Sequence, residues 1–140
     1  MHINFKSMPA QSLRRALLAN AIFSVICGSL MVFAEGSVSS WLGFTGSGVL
    51  SIGAFLLVFA VYLVWMANHS SIPKHLVGGV IAGDWAWVLG SVLLLLLRGE
   101  LFSWTGRLLI IDTAVVVAVF AILQRRGLSL ASASPAPGQG

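Results

Sequence analysis

The run from Leu76 to Leu97, LVGGVIAGDWAWVLGSVLLLLL, carries one ionisable side chain, Asp84, in an otherwise apolar stretch. A helix needs about 20 such residues to cross a bilayer. Three more stretches of the same kind are present: Leu13–Ala34, Phe44–Ala67 and Leu101–Leu123. The hydrocarbon core offers the backbone no water, so each segment must satisfy its own N–H and C=O groups, and all four read as helices. The pattern predicts an all-α integral membrane four-helix bundle.

The connections between these runs are short. Residues 35–43 end in Trp41-Leu42-Gly43, residues 68–75 contain Pro73, which disfavours helix at Ile72, and Arg98-Gly99-Glu100 forms a tight hairpin. Residues 1–12 are then an N-terminal segment, 13–124 the membrane domain and 125–140 a tail. That tail ends Ser-Pro-Ala-Pro-Gly-Gln-Gly, has nothing to bury and is expected to be unordered. The first apolar stretch, Ala16 to Phe33, outruns the roughly 7–15 residues of a secretion-signal core, so it is expected to stay as a span.

Composition agrees. Of 140 residues, 58% are hydrophobic and 9% charged, against about 25% charged in a soluble domain, too few to coat a water-facing surface. The net charge of +4 arises from Lys and Arg placed singly or in pairs at the edges of the apolar runs. That placement suits membrane flanks and argues against a phosphate-binding patch, so nucleic acid is not an expected partner. Lys6, Arg14, Arg15, Lys74, Arg125 and Arg126 fall on one side of the membrane, Arg98 and Arg107 on the other. The excess places both termini in the cytoplasm, in a multi-pass protein of the cytoplasmic (inner) membrane.

Catalytic chemistry is hard to assemble from this chain. Cys27 is the single cysteine, and His2, His69 and His75 lie outside the spans or at their edges, so neither haem nor a metal site is expected. No hydrolytic triad or phosphate loop is present, and no enzymatic activity or cofactor is expected.

The second half restates parts of the first. Gly28-Ser29 matches Gly90-Ser91, and Ser40-Trp41-Leu42-Gly43 matches Ser103-Trp104-Thr105-Gly106, at an almost constant offset. Two spans per unit would make two tandem hairpins in the same direction, related by an axis along the membrane normal.

The third and fourth spans each carry two unlike faces. Gly79, Gly83, Ala86 and Gly90 fall within about 60° of arc, a small-residue stripe that lets another helix approach closely. Asp84, Ser91 and Arg98 recur every seven residues on a different face. On the fourth span, Ala114, Ala118 and Ala121 form a stripe roughly 160° from Asp112. Neither kind of face suits lipid, and a helix in an isolated bundle has one interior face. A second neighbour is expected: another membrane protein or a second copy of this chain.

Asp84 and Asp112 both lie near mid-membrane, with Asn20 of the first span close in depth to Asp84. No Lys or Arg lies there to pair with them. Asp84, Asp112, Asn20 and Ser91 are therefore the candidate intramembrane polar cluster, as hydrogen-bonding glue between helices or as a proton or cation relay. Glu35, Arg98, Glu100 and Arg107 are expected to pair at the outer interface. Trp85 and Trp87, beside Asp84, are read first as packing residues.

The function this supports first is a non-enzymatic accessory or assembly subunit of a larger membrane complex. A small homo-oligomeric proton- or cation-coupled transporter or channel using Asp84 and Asp112 is the alternative. A quinone- or pigment-binding membrane protein, resting on Trp85 and Trp87, is the third.

Overall fold

A computed structural model describes residues 8–133 of the chain, and every element in it is helical. Four long helices carry the fold: α1 (Met8–Phe33), α3 (Gly46–Ala67), α4 (Lys74–Arg98) and α5 (Trp104–Ala133). A short helix, α2 (Glu35–Leu42), and a 3-10 turn at Gly99–Leu101 close one end of the bundle. All four long helices are apolar and long enough to span a bilayer. Side chains such as Ile22, Phe33, Val58, Val61 and Leu96 project outward, where they meet lipid. The chain is a multi-pass membrane protein built as a helical bundle.

Local chemistry sets the boundaries. Residues 35–43, read as a plain connection from hydropathy, form α2, whose Glu35 complements the dipole at its start. Gly43 ends α2 in the left-handed region at φ 73°, with its N–H on the Ser39 carbonyl, a stop that glycine adopts without Cβ strain. The Thr45 hydroxyl caps α3 by accepting from the Gly48 N–H at 3.3 Å. Ser103 does the same for α5, accepting from the Gly106 N–H at 3.1 Å while donating to the Trp41 carbonyl at 2.7 Å. One hydroxyl thus starts α5 and ties it to α2.

Helix α1 is the hub. It packs along α3 and along α5, and α5 in turn packs on α4. Consecutive helices α3 and α4 make little backbone contact. The α1–α3 crossing is close because both helices place glycine there. A Cβ on Gly28 would lie 2.9 Å from the Gly53 carbonyl oxygen, and one on Gly53 would lie 2.8 Å from Met31 Cβ. Toward the end where α1 begins and α5 finishes, Leu13, Leu17 and Ala21 of α1 meet Leu63 and Met66 of α3 and Val77 and Val80 of α4. At the opposite end, Val38, Leu42, Val49, Phe102 and Ile110 form a second apolar cluster under α2.

The structure departs from the sequence reading at the end of α5. Hydropathy ends the fourth span at Leu123 and leaves the rest as tail, whereas α5 runs on to Ala133. Gln124 and Gly127 are buried in that extension, and a Cβ on Gly127 would lie 3.0 Å from the Leu13 Cα. Contact with α1 holds the helix where average polarity predicts release. The remainder of the expected tail, residues 134–140, and residues 1–7 lie outside the described residues.

Basic side chains finish the terminal end. Arg14 donates to the carbonyls of Ala67 (2.9 Å), His69 (2.6 Å) and Ser70 (3.1 Å), binding the carbonyl-rich end of α3 with a cation. Lys74 donates to the Ala131 carbonyl at 3.4 Å, linking the start of α4 to the last turns of α5.

Candidate functional site

The residues expected to form one polar cluster separate into three environments. Asp84 points into the bundle and is 4% exposed; the Asn20 amide of α1 donates to its Oδ2 at 3.0 Å. The pair sits deep, since Asp84 lies about 15 Å along α4 from Lys74 at 1.5 Å per residue. Ser91, one heptad on, donates back to the Trp87 carbonyl of its own helix at 2.8 Å and takes no part in the pair. Asp112 is on the outside of α5 and exposed. The bundle therefore brings Asn20 and Asp84 together and keeps Asp112 apart from them.

Two residues not picked out in the sequence complete the inner group. Ser24, one turn from Asn20, extends its hydroxyl to the Asn20 Oδ1 at 3.5 Å, at the limit of a hydrogen bond. Gln124 of α5 is fully buried beside Asp84, yet neither atom of its amide makes a hydrogen bond of good geometry. Gln124 abuts Arg125-Arg126 in sequence and so reads as the polar flank of a span. A heptad step from Val117, itself a buried position on α5, was the signal that could have placed it inside.

Beside the Asn20–Asp84 pair lies a cavity of about 110 Å³ between α1, α3, α4 and α5. Phe23, Phe55, Phe59 and Trp87 contribute to its wall, and the Trp87 Nε1 is buried without a partner. A second hollow, about 150 Å³, opens under α2 between α1 and α5. Cys27, Met31 and Thr113 line both.

The small-residue stripes also part company. Ala114 and Ala121 are buried and Ala118 half-buried, so the α5 stripe packs within the bundle. Gly79, Gly83, Ala86 and Gly90 of α4 are all exposed, and a Cβ added at any of the three glycines would meet nothing within 4 Å. Each of these two helices thus turns one of its faces inward, and they choose oppositely. Helix α4 buries its carboxyl and leaves its small residues outside; α5 buries its small residues and leaves its carboxyl outside.

The outer charges do not pair as expected. Arg107 donates through Nε to the Phe102 carbonyl at 3.2 Å. The Glu35 carboxyl rests against Gly46 at the first turn of α3, where a helix N-terminus favours negative charge. Arg98 and Glu100 are exposed, and no ion pair joins these four among the described residues. Backbone carbonyls and helix ends, closer at hand in this tight end of the bundle, take the place of the opposite charges. No group of three metal-ligating side chains occurs among the described residues.

Comparison with family models, with curated proteins and with solved structures finds no match.

Proposed function

We propose that this protein is a non-enzymatic accessory or assembly subunit of a larger membrane complex, docking through the outward face of α4. The observation that carries this reading is the glycine stripe left open there. Only 11% of the most apolar window of α4 is buried, against 33%, 28% and 22% in α1, α3 and α5. Glycines on a lipid-facing surface give acyl tails little to pack against, whereas a second helix gains close backbone approach. Asp112 adds to it: a carboxyl facing outward near mid-membrane costs about 2.5–3.5 kcal/mol unless a neighbour satisfies it. A partner helix with small residues opposite α4, and one with a hydrogen-bond donor opposite Asp112, would meet both needs.

A photo-crosslinking residue at Ala86 tests this in native membranes, with Val61 on the exposed face of α3 as control. The reading expects one discrete adduct with a different membrane protein from position 86, absent from position 61, and lost on Gly79→Leu with Gly90→Leu. Adducts only with lipid, or only with a second copy of this chain, would contradict it.

The finer points of topology belong to the same reading. The Lys and Arg bias supports both termini in the cytoplasm, and the recurring Gly-Ser and Ser-Trp motifs support an origin as two tandem hairpins. The transport alternative draws on the cavity beside Asp84. A path using both acids would have to pass Cys27, Met31 and Thr113, the residues shared by the two hollows. Proton or cation flux in liposomes, lost on Asp84→Asn and on Asp112→Asn, would favour it.

A further inference from the structure

The cavity beside Asp84 meets the docking surface only at Gly83, the edge of its stripe, and its chemistry is specific. Its wall joins a buried carboxyl to four aromatic side chains, Phe23, Phe55, Phe59 and Trp87. The carboxyl has one donor of hydrogen-bond geometry, the neutral Asn20 amide, the neutral Gln124 amide lies beside it, and no Lys or Arg among the described residues pairs with it. A carboxylate away from water gains most from a cation, and aromatic rings within about 6 Å attract the same charge. We propose that this cavity binds the ammonium head of a lipophilic amine, held between Asp84 and the surrounding aromatic rings.

Competing ligands fit less well. A hard metal ion takes about six oxygen ligands, and the polar side chains here are few, with no cluster of three metal-ligating groups among the described residues. A quinone ring is no smaller than benzene, which needs a cavity of roughly 150 Å³, and its carbonyl oxygens would face the acceptor oxygens of Asp84. Size sets the form of the amine. At about 110 Å³ the cavity is smaller than the roughly 150 Å³ that admits a benzene ring, so it takes the ammonium and its first carbons only. The rest of the chain leaves between α3 and α4, whose backbones keep apart, past Phe55 and past Gly83, which is exposed and has no side chain to block the way. Asp84 lies about 15 Å along α4 from Lys74, and the cavity opens beside the exposed apolar side chain of Phe55, which selects amines that partition into hydrocarbon.

Titration calorimetry of hexylamine into the protein in phosphatidylcholine nanodiscs tests this, with hexanol as the uncharged match and empty nanodiscs subtracted. Saturable hexylamine binding is expected, with none by hexanol. Asp84→Asn should weaken it about tenfold or more. Phe55→Leu, at a position exposed enough to spare the fold, should weaken it about threefold, and Gly83→Leu should block entry. Equal binding of hexanol and hexylamine would overturn the proposal and leave an apolar slot. Unchanged hexylamine affinity in Asp84→Asn would do the same, and if that variant does not fold, unchanged affinity in both Phe55→Leu and Gly83→Leu decides against it.

Discussion

Glycine does opposite work in two parts of this bundle. At the α1–α3 crossing, Gly28 and Gly53 let two backbones meet so closely that a single added carbon would collide with a carbonyl oxygen or with Met31. Along α4, Gly79, Gly83 and Gly90 share one face, and a Cβ added at any of them would meet nothing within 4 Å. The residue type is the same in both places, and so is the helical context. What differs is whether this chain supplies the second helix. A small-residue stripe records that two helices come close; only the packing says whether the other helix is internal.

The strongest way to break that contrast is to enlarge the glycines of the crossing. Gly53→Leu should destabilise the bundle by about 1–3 kcal/mol or more through overpacking, read as a lowered midpoint in denaturant-titrated micelles. Gly79→Leu and Gly90→Leu should leave that midpoint where it is. Equal losses at both places would mean that α4 already packs its stripe within the chain.

The two carboxyls sharpen the same comparison. Asn20→Leu removes the one well-placed donor from Asp84 and should cost about 1–3 kcal/mol, the penalty of a buried polar group left unpaired. Asp112→Leu should leave the isolated protein as stable or make it more so, because an exposed carboxyl in lipid becomes an apolar side chain. A double-mutant cycle on Asn20 and Asp84 should return a coupling of about 0.6–1.7 kcal/mol, and no coupling between Asp84 and Asp112.

Ser103→Ala should have a smaller effect, about 1 kcal/mol, since it removes the cap of α5 and the tie to Trp41 together. The smallest structural effect is expected from Arg14→Gln. It loosens three hydrogen bonds at an exposed helix end, read as faster amide exchange at Asn68–Ser71 with little change in global stability.

Much of the fold was legible in the sequence. Span number and approximate position follow from hydropathy, because the absence of water in the bilayer forces any long apolar run into a helix. The kink of residues 35–42 into α2 was not legible, since a short helix is set by its cap and its neighbours more than by average polarity. The same holds for the extension of α5, where Gln124 and Gly127 look like the polar end of a span and are held inside by Leu13 and its neighbours.

For the site, residue type alone marks which side chains do not belong in lipid: Asn20, Asp84, Asp112 and the glycines of α4. Residue spacing shows also that α4 and α5 each carry two faces unsuited to acyl chains. Which face each helix turns inward is fixed by packing against the other helices. A helical repeat fixes the angle between two stripes on one helix but leaves the helix free to rotate about its axis. That rotation is set by what α1 offers across the bundle: among the described residues it gives Asp84 a hydrogen bond from Asn20 and gives Asp112 none.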